Sequence, residues 1–441
     1  MSISKKSIAK SVFMGILIYG LYVVPQRTSV AGAPPGTTFE ADVAPILRQS
    51  CQICHHPGGV APMSLVTYEE CRPWARSIKE QVAKRMMPPF YAAGPIGYYQ
   101  EDIRLNKNQI DTISAWVDSG APRGTPSNSS VSTTWDFDDS PAKPDLLLTP
   151  RNPYTVSSNG IDDYQVFAFD YTFPEDTWIN KIDLRPGNRS AVHHIGLYAL
   201  PAGVKVEPDG RVPDSEASIM QSHLILFWVP GSLPRVFEDR TAMLLPKGTR
   251  LGIQVHYAPN KRAGVVDQSS VAIYFANGIV NQLIHNQYGG VSKIAIPPGE
   301  SHYELVDYKK FKTDALITAF GAHMHLRGKS FKISLIYPDG SERKIFDLPQ
   351  FQFYWQRGYR LANPIRVPKG TIAKYTAVWD NSDRNALNPD PKQFVRFGLK
   401  TTDEMMASDL VYVIPEEKLN IHVEKGLRVD QEKSVVAPAR Q

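Results

Sequence analysis

Three cysteines in 441 residues constrain this chain more than any other feature. Cys51 and Cys54 are separated by two residues and His55 follows directly. In this C-x-x-C-H pattern two thiols form thioethers with the vinyl groups of one covalent haem c, and the histidine supplies an axial nitrogen. Cys71 is then left unpaired, so no internal disulfide can form. Whatever folds beyond the haem segment must be held by its own apolar core, or by bound metal, and not by cross-links. A bare C-x-x-C also fits a redox dithiol or half of a zinc site. The adjacent histidine, an export leader and the lack of a second cysteine pair weigh against both.

The leader is read from residues 1–33. Lys5, Lys6 and Lys10 form a basic region, 11–24 is a mostly apolar run, and Ala31-Gly32-Ala33 offers the small-x-small pattern of a cleavage site. The run is shorter than the roughly 20 residues a membrane-spanning helix needs. A cleaved signal peptide and a periplasmic or otherwise exported location are expected, with an uncleaved leader acting as a membrane tether as the alternative. Residues 1–33 also carry four basic and no acidic side chains, so their removal takes the formal charge from +5 to +1. The basic balance therefore does not point to nucleic acid, and no basic stripe occurs later.

Residues 37–124 read as helical. Phe39, Val43, Ile46 and Leu47 recur at helical spacing, 68–86 is rich in Glu, Lys, Arg and Ala, and Ile110, Ile113 and Trp116 share one side of 107–119. Four residues are candidates for the second axial ligand: Met63, Met86, Met87 and His56. Met87 is preferred because Pro88 and Pro89 follow it, and proline holds the preceding backbone extended. Met-Pro is the setting of the axial sulfur in class I cytochromes c, which this segment resembles. Residues 125–134 are a Pro/Ser/Thr-rich linker without periodicity.

After Trp135 the texture changes to short runs of β-branched and aromatic residues, such as 164–169, 191–200, 250–257, 315–320 and 371–379. Pro-Gly, Asp-Gly and Gly-Asn turns separate them. Roughly 300 residues is long for one sandwich of about 100, and Tyr288-Gly289-Gly290 interrupts the strands. The expected fold is thus multidomain: a small all-α class I cytochrome c domain at 37–124, followed by two all-β antiparallel, jelly-roll-like sandwich domains at 135–287 and 288–430, with a tail at 431–441.

Histidines in the β region fall into groups. His323 and His325 are two apart, so on a strand both imidazoles project from one face. His193 and His194 are adjacent and would point to opposite faces of an ideal strand, so they can share a metal only through a bulge or twist. His256 is a third imidazole at the end of a β-like run. The single histidines His223, His285, His302 and His422 carry no weight. Imidazole and thioether together suit copper, the sulfur favouring Cu(I).

These segments resemble a family. Residues 191–196 (AVHHIG), 251–257 (LGIQVHY), 319–325 (AFGAHMH) and 402–405 (TDEM) occur in the order found in the copper type II, ascorbate-dependent monooxygenases, which include peptidylglycine α-hydroxylating and dopamine β-monooxygenases. The resemblance spans roughly residues 136–414. It implies two coppers: an electron-storing one held by His193, His194 and His256, and an oxygen-binding one held by His323, His325 and Met405, with Met406 as a neighbouring alternative. It also implies insertion of one oxygen atom of O2 into a C–H bond of a small organic substrate. The haem would feed electrons in place of, or alongside, an ascorbate-like reductant or a redox protein. Two departures stand out. Gly321 occupies the position where peptide-amidating members carry an arginine for the substrate carboxylate, and Asp409 occupies that of a family tyrosine. A peptidylglycine substrate is therefore not expected. Two other readings stay open at this point: an electron-transfer or copper-binding protein without oxygenase activity, and a structural subunit of a respiratory assembly.

Overall fold

A computed structural model describes residues 36–126, 143–213, 216, 224–237, 240–258, 260–398 and 400–429. The leader at 1–33, most of the linker at 125–134 and the tail at 431–441 lie outside the described residues. No helix among the described residues is long and apolar enough to cross a membrane.

β structure dominates, at about 40 % strand. In the first β unit, one sheet orders Leu146–Leu148, Ser270–Phe275, Thr177–Arg185 and Thr241–Leu245. The facing sheet orders Asp163–Thr172, Arg250–Tyr257, Val192–Leu200 and Leu224–Trp228. Leu251, Ile253, Val255 and Tyr257 alternate along their strand at 0 % exposure and meet Phe169, Ile195 and Ile273 in one core. The period of two that sends these four inward leaves Gln254 and His256 on the opposite face. In the second unit, His285–Val291, Met406–Val413, Ala315–His323 and Tyr359–Val367 form one sheet. Tyr303–Lys310, Ile372–Trp379, Gly328–Ile336 and Glu342–Leu348 form the other. Phe320, Phe331, Ile333, Tyr375, Trp379 and Leu410 fill the space between.

The N-terminal part corrects the expectation of a small all-α class I cytochrome c domain: no such domain is evident. The helices Ala44–Ser50, Tyr68–Cys71, Ala75–Ala83 and Lys107–Asp118 are short. They share a small core around Phe39, Leu47, Ile78, Ile113 and Trp116. Between the last two, Pro88, Pro89 and Pro95 remove backbone donors that a helix needs, and the chain runs extended. Its side chains are too apolar to stay in water, so Phe90, Tyr91, Ala92, Tyr98 and Tyr99 pack into the core of the second β unit. Backbone bonds fix the run there: Ala93 N–H donates to Asp347 O at 2.8 Å, Gln100 N–H to Arg360 O at 2.9 Å, and Ala362 N–H to Tyr98 O at 3.0 Å. Glu101 pairs with Arg360. The helices are thus a layer tied into β structure.

Candidate metal centre

On the face of the first β unit turned away from its core, three aromatic rings form a row across the strands. His256 is the register partner of Tyr164 on one side and of His194 on the other. The ladder shifts between Val192 and His194, a bulge that re-aims His193. As a result three imidazoles reach one point. His193 Nδ1 lies 3.2 Å from His194 Nδ1 and 3.1 Å from His256 Nδ1. Metal–nitrogen bonds of about 2.0 Å in a tetrahedral arrangement separate ligand atoms by roughly 3.3 Å. The spacing therefore fits one metal ion, and the three side chains could hold it.

The surroundings prepare these rings as ligands. His256 Nε2 sits 2.7 Å from Asp162 Oδ1, so the carboxylate accepts the Nε2–H and leaves the Nδ1 lone pair facing the centre. Burial, with repulsion from His256, pushes His193 down to about 4. Burial likewise holds His194 well below the usual imidazole range, with smaller contributions from His256, His193, His323 and His325. Both rings are neutral at pH 7, the form that binds metal. Tyr164 stacks on His256 at 4.0 Å between centroids, and its hydroxyl meets Thr401 Oγ1 at 2.6 Å, tying this face to the loop that leads to Met405.

The second unit presents His323 at the end of its strand and His325 just beyond, with ring centroids 5.1 Å apart. His325 Nδ1–H donates to the Asp403 carbonyl at 3.2 Å, which leaves Nε2 as the lone-pair nitrogen. His323 Nδ1 is sequestered without a hydrogen-bond partner, as is Gln356 Oε1. Both residues line the same cavity. Burial pushes His323 down to about 4 and His325 to about 3. One buried carboxylate positions the group: Glu404 accepts from His325 N at 3.0 Å, Arg327 N at 2.6 Å, Met405 N at 3.3 Å and Trp379 Nε1 at 2.8 Å.

His194, His323, His325 and Met405 line a single cavity of about 160 Å³ between the two β units. Phe227 bridges its walls, 4.7 Å from the His194 ring and 6.0 Å from the His323 ring. Phe353 stacks 5.7 Å from His193 and stands 6.4 Å from His325. The clusters are therefore neighbours across a mostly apolar space. Strand alternation puts Met405, Ala407 and Asp409 on the cavity side, with Gly321 opposite Asp409 in register.

Asp409 yields a pH prediction. Burial pushes it up to about 6, against the opposing Arg235 charge. A folded carboxyl raised above the unfolded value of about 3.9 holds an extra proton between those pH values, so stability is lost as pH rises through that window. Asp409→Asn should leave the metal-free protein little changed near pH 4. Above pH 7 it should be more stable by roughly 1–2 kcal/mol, after discounting for the partial exposure of the carboxyl. Urea unfolding at the two pH values checks this. A variant less stable at both would mean that the carboxylate is a needed partner of Arg235.

In the helical layer, Cys51, Cys54 and His55 lie on one turn: Cys54 N–H and His55 N–H both donate to Cys51 O. No disulfide joins any of the three cysteines. Burial, then the neighbouring Cys54, pushes Cys51 up to about 12. His55 Nδ1–H donates to Met63 O at 3.1 Å, leaving Nε2 available to iron. Met87 is half-buried at the start of the extended run that reaches the second β unit.

Several residues of the site have no sequence signature. Asp162, Tyr164, Phe227, Phe353 and Glu404 are brought in by register and burial, and no short spacing pattern marks them.

No protein-family model matches the chain, and no curated protein matches it. Among solved structures it is similar to that of infectious bursal disease virus Gx strain, at 11 % identity over 61 % of this chain and 72 % of that one, with a TM-score of 0.20. It is also similar to the major capsid protein P2 of bacteriophage PM2, at 11 % identity over 64 % and 99 %, TM-score 0.24. The tandem CBM22 domain of Paenibacillus barcinonensis Xyn10C matches at 10 % identity over 63 % and 100 %, TM-score 0.15. Scores this low say nothing about function.

Proposed function

We propose that this protein is an exported haem–copper oxidoreductase, a copper-dependent monooxygenase that hydroxylates a C–H bond of a small organic substrate. What supports the reading is the convergence of three imidazoles, with His193 Nδ1 3.2 Å from that of His194 and 3.1 Å from that of His256, across one cavity from two further imidazoles and a thioether. The overall change, RH + O2 + 2 e⁻ + 2 H⁺ → ROH + H2O, balances with one electron from each of two copper centres.

His193, His194 and His256 would hold one copper, and His323, His325 and Met405 the other. Cys51, Cys54 and His55 would attach the haem, and Met87 is the candidate for a further residue that would hold it. Copper supplies one-electron storage at the first cluster and oxygen chemistry at the second, and haem supplies one-electron exchange with an ascorbate-like donor or redox protein. The chain's own part is preorganisation. Asp162 fixes the His256 tautomer and Glu404 holds the backbone of His325 and Met405. Phe227, Leu226 and Met243 keep the cavity apolar, which excludes water and accepts the body of the substrate.

The test is a joint haem and copper determination on the full chain, matured with haem and folded with excess copper, followed by reoxidation of the reduced protein by O2. One haem, two coppers and O2-dependent reoxidation are expected. Haem with less than one copper per chain would overturn the reading. Two coppers without O2-dependent reoxidation would favour a copper-binding electron carrier.

A further inference from the structure

The two histidine clusters are joined by a chain of contacts as well as by the cavity. Tyr164 is the register partner of His256, and its ring lies almost flat on that imidazole, with planes at 8°. Its hydroxyl then crosses from the first β unit to the second and forms a hydrogen bond with Thr401 Oγ1 at 2.6 Å. Thr401 is buried, so water competes little for this bond. Neither residue belongs to the apolar core of its unit. Thr401 sits in the turn 400–403, closed by Asp403 N–H donating to Lys400 O at 2.9 Å. The residues that follow Thr401 each hold part of the second cluster. The Thr402 carbonyl accepts from Arg327 Nη1 at 2.8 Å, and the Asp403 carbonyl accepts from His325 Nδ1–H at 3.2 Å. Glu404 accepts from His325 N–H at 3.0 Å, and Met405 comes next. A shift of Thr401 is therefore passed to both His325 and Met405.

We propose that Tyr164 and Thr401 form a clasp between the β units, which makes Tyr164, a residue of the first unit, a positioning residue for His325 and Met405 of the second. Two units with separate cores can shift against each other as bodies. The hydroxyl bond opposes that shift at the point where the ligand sets face each other. Its first end is fixed by the stack on His256, and its second end by the backbone that carries the thioether and sets the His325 tautomer. The role in metal binding rests on the two-copper reading, whereas the clasp itself is a property of the metal-free chain.

Two variants remove the bond and keep the packing. Tyr164→Phe retains the ring on His256, and Thr401→Val retains the branched side chain. In the metal-free full chain, hydrogen exchange read by mass spectrometry should be roughly 2–10-fold faster over 400–405 in Tyr164→Phe, the effect of losing one hydrogen bond. The strand Arg250–Tyr257 should exchange as before. After copper loading, competition with a chelator should show the second site weakened by about 10–100-fold, as for loss of an outer partner, with the first site unchanged. The double variant should be no weaker than either single one, because both remove the same bond. Unchanged exchange over 400–405 in Tyr164→Phe, or effects that add in the double variant, would overturn the clasp. If Tyr164→Phe does not fold, unchanged exchange in Thr401→Val overturns it as well. An unaltered chain that takes up less than one copper would sink the copper reading instead, and the metal-free exchange would still decide the clasp.

Discussion

Replacing His256 with Ala should reduce bound copper from two per chain to one while leaving haem content unchanged. The imidazole contributes one of three converging nitrogen atoms, and its Nδ1 lies 3.1 Å from that of His193. The remaining pair, His193 and His194, stays 3.2 Å apart but cannot close the coordination sphere of a tightly held ion. Affinity at this cluster should therefore fall more than the roughly 10–100-fold that loss of an outer partner costs. Asp162→Asn provides that smaller step. It replaces the charged acceptor by an amide that can either accept from or donate to Nε2, so the His256 tautomer is no longer fixed, and it should weaken copper by about 10–100-fold without losing a ligand. Competition with a chromophoric copper chelator separates the two variants. O2-dependent reoxidation should be lost in His256→Ala, because one of the two electrons has no storage site. Two tightly held coppers in His256→Ala would sink the assignment.

What the sequence reveals of this site follows from how locally each part is encoded. Cys51, Cys54 and His55 stand out because the C-x-x-C-H spacing is complete within five residues, and the structure sets the three on one turn. His323 and His325 are legible because strands have a period of two. His193 and His194 are half-legible: adjacency alone sends them apart, and only a register shift against Arg250–Tyr257 brings both to His256. Asp162 and Tyr164 precede any recognisable pattern, since their value comes from the strand that lies next to them, about ninety residues later in the chain. The helical layer illustrates the converse. Helical spacing in 107–119 and around Leu47 is real, but spacing does not say what a helix packs on. Phe90, Tyr98 and Tyr99 find a larger apolar core in the second β unit than the short helices offer. The all-α domain is absent for that reason.

Glu404 is the other position where a large effect is expected, and it lies beside the ligands, not among them. It is fully buried, and its carboxylate accepts from four donors: three backbone N–H groups, of His325, Arg327 and Met405, and the Trp379 indole. Arg327, also fully buried, is held through its side chain by Asn381 Oδ1 at 2.7 Å and the Thr402 carbonyl at 2.8 Å. Burial pushes Glu404 up to about 7, so near neutral pH it is only partly ionised and offsets the Arg327 charge only in part. Glu404→Ala leaves four donors, three backbone N–H groups and the Trp379 indole, without their acceptor, each costing about 1–3 kcal/mol. These penalties overlap, so a loss of roughly 4–6 kcal/mol is expected, enough to lower the melting temperature by about 10 °C or more in a unit of this size. The turn carrying His325 and the residue Met405 should separate, so the second copper should be lost while the His193, His194 and His256 cluster keeps its own. Glu404→Gln, which retains an acceptor oxygen but sets an amide N–H₂ against donors, should fall between. Urea unfolding and copper titration of the same preparations decide the matter. A Glu404→Ala protein within 1 kcal/mol of the parent and still holding both coppers would mean that the ligand turn is positioned by something other than this carboxylate.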